Sequence, residues 1–355
     1  MNPRPKSARS RSRLSVVVIA RNEERHIGAC LEALKRALTQ MPGTPVLLVD
    51  SSSTDRTIEI ARRYPVAIYS YAGPIFSAAA GRRIGFERTA SRAVLFIDGD
   101  CCIEPGWIDL ALGILERNRD VAVVYGARRE VFEGATEEAI IAAPKAAEYE
   151  LGGNALYRAS TLRTAGGFDP YLRAGEEAEL LGRIVALRYR AIGTPEIMFT
   201  HYTLAKTTLA GFTARLRRGL ARGLGQTLRL AIGQGLFLYH ARRLNRYLLT
   251  LAFLVSGALA GITGLPTRSL TLPALWLGSG VLAFAALCIS RRSVRGAAFI
   301  VADWVCTAVP MAVDFLRTPR DRSHFAPEVR LLSCNSSIPP FDSQPAGARQ
   351  RSMVE

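Results

Sequence analysis

Over the first two hundred positions apolar residues fall into short, dense, β-branched runs separated by longer stretches of helical spacing. The runs 14–20, 46–50, 66–71, 93–98 and 121–126 predict buried strands, and 23–39, 54–64, 78–91 and 105–117 predict the helices between them. Such alternation implies a mostly parallel sheet covered by helices on both faces. Ligands of such sheets gather at the carboxyl ends of the strands, so the strand ends are where chemistry is expected.

Beyond position 205 the pattern changes. Leu209, Phe212, Leu216, Leu220, Leu224 and Leu228 recur at helical spacing among Arg215, Arg217, Arg218, Arg222 and Arg229, without an acidic residue. This predicts a basic amphipathic interfacial region over 205–246. Stretches 247–265 and 269–290 hold no charged residue and are close to the roughly 20 residues that cross a hydrocarbon core. A third apolar stretch, 296–316, contains Asp303 and Asp314 and reads equally as a third span or as an interfacial or re-entrant segment.

The 46 Lys plus Arg against 30 Asp plus Glu leave a formal charge of +16, almost all of it arginine. Residues 1–13 form a basic arm without periodicity, read as flexible, and no apolar segment of signal-peptide length follows it. Arginines before the first span and after the second, with Arg268 alone between, orient the N-terminal region and the end of the second span to the cytoplasmic face of the inner membrane, in a multi-pass protein. The densest basic stretch adjoins the spans and carries no aromatic stacking platform, so nucleic acid is not the expected partner. Segment 317–355 is read as a mobile tail. Six cysteines without C-x-x-C spacing predict neither a disulfide nor a zinc site.

No G-x-G-x-x-G follows the first strand and no P-loop is present. Instead the second strand ends in Asp50, and the fourth in Asp98-Gly99-Asp100. Carboxylates converging on one crevice repel unless a cation lies among them, and Mg²⁺ or Mn²⁺ with phosphate oxygens is the usual answer. An acid at a strand end can also merely cap the next helix.

At these residues the chain resembles family 2 glycosyltransferases of the GT-A fold. The segments SVVVIARNEERHIGACLEAL, VLLVDSSSTDRTIEIA, SAAAGRRIG, VLFIDGDC, GGNALYRASTLRTAGGFD and GEEAELLGRI occur in the family's order. The resemblance implies a Rossmann-like, mostly parallel sheet over 14–204, then the interfacial region, then two or three transmembrane helices within 247–316. It implies that Ala20, Asn22, Glu23 and Asp50 line a nucleoside pocket, that Arg82 approaches base or phosphates, and that Gly153 and Asn154 shape the sugar floor. Asp98 would contact the nucleotide-sugar and, with Asp100, the metal; His201 is a further metal candidate, although a lone histidine beside an apolar run is more often structural. Arg215 and Arg218 are candidates for the diphosphate.

Glu176-Glu177 stands where the family usually has Glu-Asp, making Glu177 the candidate base and Glu176 its rival. The implied reaction is an inverting, metal-dependent transfer from a UDP-, GDP- or dTDP-linked sugar to a lipid-linked or saccharide acceptor. The Q-x-x-R-W of processive synthases is missing, which favours single transfer. A processive synthase and a non-catalytic nucleotide-sugar-binding scaffold are the competing readings.

Overall fold

The protein is described from a computed structural model, which covers residues 12–73, 75–132, 138–143, 153–203, 213, 219–267 and 269–334. Four strands, β1 (Leu14–Ala20), β2 (Val46–Asp50), β3 (Ala67–Ala72) and β4 (Ala93–Asp98), lie parallel in the order β3-β2-β1-β4. Apart from Ser15 and the closing Asp50 and Asp98, β1, β2 and β4 are apolar on both faces, because each face carries helices. Val16, Val18, Leu48, Leu95 and Ile97 meet α1 (Ile27–Ala37) and α4 (Trp107–Arg117) on one side. Val17, Ile19, Val49, Val94 and Phe96, one residue out of phase, meet α3 (Ala78–Glu87), α5 (Ala159–Thr164) and α6 (Glu176–Ala186) on the other.

The sheet is mixed beyond β4, rather than mostly parallel throughout. β8 (Ala155–Arg158) runs antiparallel to β4 and to β6 (Val121–Phe132), β9 (Arg190–Thr203) runs parallel to β6, and β5 (Cys101–Ile103) runs antiparallel to β9. β7 (Glu138–Ile141) pairs with β6. This outer half brings β5 and β9 to the crevice.

Two predicted helices begin later than their periodicity suggests. The amides of Asn22, Glu23 and Glu24 donate to Ser53 Oγ (2.9 Å), Thr57 Oγ1 (2.8 Å) and Asp55 Oδ2 (3.0 Å), and Thr54 N donates to Asn22 Oδ1 (2.8 Å). Residues 21–26 and 51–56 are therefore laced together across the ends of β1 and β2, and helix starts only at Ile27 and at Thr57 in α2 (Thr57–Ala61).

The basic amphipathic region contains two described helices, α7 (Leu220–Gly233) and α8 (Phe237–Arg243), broken where Gly235 takes φ +70°. Three long apolar helices follow: α9 (Asn245–Thr267), α10 (Thr271–Arg291) and α11 (Val294–Phe315). All three are long and apolar enough to cross a membrane. The third apolar stretch is continuous helix through Pro310, without a re-entrant break.

The tail expected to be mobile from 317 returns to the sheet instead. β10 (Glu328–Ser333) pairs antiparallel with β3, and Arg322 Nε lies 3.3 Å from the buried Asp169. A short, half-polar strand covering a sheet edge has no periodicity of its own to announce it. Segment 335–355 lies outside the described residues.

Candidate functional site

The register of the parallel strands fixes the crevice: Ala20 pairs with Asp50, and Ile19 pairs with Asp98, so two acids flank the end of β1. Asp50 is fully buried. Its Oδ2 accepts from Ser53 N and Ser70 Oγ, both at 3.1 Å, while Oδ1 is buried with no partner among the described residues. A buried acceptor left open costs stability unless a ligand donor reaches it. Beside it Tyr71 OH meets Ser51 Oγ at 3.1 Å, the Phe76 ring packs on Tyr71, and the Arg21 guanidinium lies 4.5 Å over Phe76. The family resemblance implied Ala20, Asn22, Glu23 and Asp50 here, but not the Ser70, Tyr71, Phe76 and Arg21 wall. Asn22 takes φ +57°, a left-handed conformation that asparagine tolerates, and its hydrogen bonds go to the neighbouring loop.

Small residues set the next layer. A Cβ at Gly81 would stand 3.1 Å from Ile19 Cγ2, and one at Gly85 2.3 Å from Val17 Cγ1, so α3 lies directly on the sheet. That close seating buries Arg82 at the strand ends. Its Nη2 lies 2.7 Å from Asp98 Oδ1, and its Nη1 lies 2.6 Å from Glu176 Oε1 and 3.3 Å from Glu177 Oε1. One cation thus serves three carboxylates drawn from β4 and α6. Arg82, expected near base or phosphates, is held by the acids.

Gly153 is needed where it is: a Cβ there would stand 2.0 Å from Arg82 Nη2 and 2.8 Å from Asp98 Oδ2. Asn154 Oδ1 accepts from Asp98 N at 2.6 Å, tying β8 to the acidic turn. Gly99 also lies against β1, where a Cβ would stand 3.1 Å from Ala20 Cβ, and its N–H donates to Ile19 O at 2.9 Å.

Glu176 and Glu177 open α6, where unpaired backbone N–H groups favour negative charge. Glu177 is the looser of the two, at 15% side-chain exposure against 5%. Burial, then the charge of Glu176, push its carboxyl up to about 8 against the pull of Arg82. Two aromatic residues close the cage: Phe168 lies 5.8 Å from the Arg82 guanidinium, and Tyr157 is fully buried beside it. Trp107, by contrast, is core and donates to Thr194 Oγ1 at 3.1 Å.

Asp100 faces a different set. Cross-strand pairing of Cys101 with His201 places His201 Nε2 3.3 Å from Asp100 Oδ2, and the ligand atoms of Asp100, Cys101 and His201 lie within 4.8 Å of one another. Asp100 and His201 are each 27% exposed. Burial would raise the Asp100 carboxyl, but His201 outweighs it and holds the group below the usual range. Burial pushes the Cys101 thiol well up, so it stays protonated. A carboxylate and an imidazole opening to the crevice suit a divalent cation such as Mn²⁺ or Mg²⁺. Asp98, expected as a second ligand, points to Arg82 instead. Arg215 and Arg218 lie outside the described residues.

Known proteins resemble this chain in sequence and in fold. Residues 15–169 match the model of glycosyl transferase family 2. The chain is 27% identical over 216 residues to the pre-mycofactocin glycosyltransferase of Mycobacterium tuberculosis, covering 54% of this chain and 44% of that protein. It is 27% identical over 212 residues to the succinoglycan biosynthesis protein ExoA of Rhizobium meliloti, covering 54% of this chain and 63% of that one. The match thus spans less than two thirds of either relative. Among solved structures, the mannosyltransferase PcManGT from Pyrobaculum calidifontis, in complex with GDP-Man and Mn²⁺, superposes with a TM-score of 0.61 at 19% identity, over 87% of this chain and 88% of that one. The shared fold is GT-A.

Proposed function

We propose, for a chain that carries a family 2 glycosyltransferase domain over residues 15–169, that it moves a sugar from a nucleotide-diphosphosugar to a hydroxyl or phosphate of a lipid-linked or saccharide acceptor. The setting is cell-envelope or exopolysaccharide biosynthesis, at the cytoplasmic face of the inner membrane. The observation that carries this reading is the crevice itself: Asp50, Asp98 and Asp100 at strand ends, with Glu176 and Glu177 brought against them through Arg82.

Asp50 binds the nucleobase, its open Oδ1 accepting a ring N–H of a UDP-, GDP- or dTDP-linked donor. Asp100 and His201 hold Mg²⁺ or Mn²⁺, which when bound offsets the charge of the leaving diphosphate. Arg82 offsets part of the charge of Asp98 and Glu176, which reduces the repulsion between the floor of the crevice and an anionic donor. Gly153 leaves the space into which the sugar and the acceptor fit.

Glu177 takes the acceptor proton. A base works best with a pKa near the operating pH, and a carboxyl raised to about 8 meets that condition better than an ordinary glutamate. The acceptor oxygen bonds to the anomeric carbon on the face opposite the diphosphate, and the bond to the phosphate oxygen breaks. The outcome is inversion, one sugar per encounter. Apolar helices α9 to α11 and the arginines at their ends support a membrane setting and a lipid-linked acceptor.

The test uses the detergent-solubilised full chain with Mn²⁺ and radiolabelled UDP-, GDP- and dTDP-sugars. Label passing into the organic phase, and its loss in Asp100→Ala and Glu177→Gln, is the expected result. Donor bound without turnover would point to a non-catalytic binder, and full activity in both variants would overturn the assignment.

A further inference from the structure

Three helices are long enough to cross a bilayer, but the chain on either side of them meets the same domain. Before α9, α7 packs on the loop that leads into the catalytic helix: a Cβ at Gly223 would stand 2.3 Å from Ala174 N. Gln234 Nε2 donates to Glu179 Oε1 at 3.0 Å, and His240 packs against Gly182. After α11, Arg322 pairs with Asp169, the Phe325 ring meets Tyr171, and β10 joins the sheet at β3. A chain that leaves and returns on one face of a membrane crosses it an even number of times. Three crossings are therefore incompatible with β10 lying in the catalytic sheet.

The packing singles out the helix that does not cross. α9 and α10 run antiparallel as a hairpin: Gly264 faces Pro273, Gly257 faces the Trp276 ring, and Trp276 Nε1 donates to Phe253 O at 2.9 Å. α10 has no buried residue. Only Arg292 and Ser293 separate α10 from α11, which starts at the open end of that hairpin and ends against α7 and the start of α9. A Cβ at Gly225 would stand 2.1 Å from Met311 O and 2.8 Å from Phe315 N, and Ala308 and Met311 share a cluster with Leu228, Leu244 and Tyr247.

Both ends of α11 thus lie on the catalytic side. Its composition agrees, since Asp303 stands at the middle of α11, where a carboxylate is costly at the centre of a bilayer. One face of α11, with Ala297, Thr307, Ala308, Met311 and Asp314, is buried, while Val309, Val313 and Leu316 are exposed. The exposed Arg242, Arg246, Arg291, Arg292 and Arg295 border this layer, and no Asp or Glu occurs from 197 to 302.

We infer that only α9 and α10 cross the bilayer, and that α11 lies in the headgroup layer on the catalytic side, its exposed apolar face toward the acyl chains and the bordering arginines at anionic headgroups. The α7–α11 pair then forms the floor between the catalytic crevice and the lipid. This rests on the membrane setting proposed above.

The test places reporters on both sides of the three helices in the full chain. Ser160→Cys marks the catalytic domain, Leu270→Cys marks the turn of the hairpin, and the native Cys334, exposed at the end of β10, marks the return. Right-side-out and inverted membrane vesicles are treated with a membrane-impermeant maleimide, and the labelled sites are located by peptide mass. Cys334 and Ser160→Cys labelled from one face, with Leu270→Cys labelled only from the other, is the expected result. Cys334 labelled together with Leu270→Cys would overturn the inference and leave the membrane setting intact. All three labelled from one face would overturn both.

Discussion

Glu177 Oε1 stands 3.3 Å from Nη1 of Arg82, the same nitrogen that holds Glu176 at 2.6 Å. One carboxylate is pinned and its neighbour is left looser, and this asymmetry separates a residue that shapes the site from one that can exchange a proton.

Glu177→Gln should lower turnover by about 10²- to 10⁴-fold. In the wild type, kcat/KM should rise with pH up to about 8, where the free carboxyl gives up its proton. The raised pKa also has a stability sign: the folded state holds this proton more tightly than the unfolded chain, so its stabilising effect is lost as pH rises through about 8. Glu177→Gln should therefore melt higher than wild type at pH 9, read by thermal denaturation across pH. An unchanged pH profile of activity in Glu177→Gln would remove Glu177 as the base.

Arg82→Met should be among the most damaging substitutions. It leaves three carboxylates facing one another without their cation, and breaking a buried ion pair from one side costs roughly 3–5 kcal/mol. Arg82→Lys should recover part of the melting temperature but little activity, because one ammonium cannot reach both Asp98 and Glu176 with the planar fork.

Asp100→Asn and His201→Ala should each weaken Mn²⁺ binding by at least the roughly 10- to 100-fold that loss of an outer-shell partner costs, measured by calorimetry in the presence of nucleoside diphosphate. Cys101→Ser should leave the affinity close to wild type, because the buried thiol stays protonated.

Gly85→Ala should destabilise the domain by about 1–3 kcal/mol, since the new methyl would meet Val17 and α3 must lift from the sheet. Gly233→Ala, at the end of α7 with nothing within 4 Å, serves as the comparison and should be neutral or slightly stabilising in the same denaturant titration.

His240 is fully buried, and burial, then Arg243, press its imidazole down to about 4. The unfolded chain binds that proton near pH 6.5, so stability should fall as pH drops from about 6.5 towards 4. His240→Phe should flatten this part of the melting curve against pH; an equally steep fall in the variant would place its cause elsewhere.

The parallel strands were legible because their cause is local. Runs such as 46–49 and 93–97 are apolar at every position, a pattern that a short strand buried on both faces accounts for, and the acids closing them, Asp50 and Asp98, are read with them. The starts of α1 and α2 were not legible, since the amides of Asn22, Glu23 and Glu24 are taken by Ser53, Thr57 and Asp55 from another loop. β6 outruns its apolar stretch because Arg128, Arg129 and Glu130 are carried into the sheet by β9. β10 was invisible for the same reason: its partner β3 lies at the other end of the chain.

Local chemistry, then, set the strand ends, the acids on them and the apolar helices, since each follows from neighbours along the chain. Packing between distant segments decided how the charges divide. Whether Asp98 serves a metal or Arg82 depends on α3 lying close enough to β1 to bury a guanidinium, and whether α11 crosses a membrane depends on where β10 ends up. Ion pairing and topology are relations between segments that meet only on folding, and the free energy that selects them has no counterpart in any single stretch of sequence.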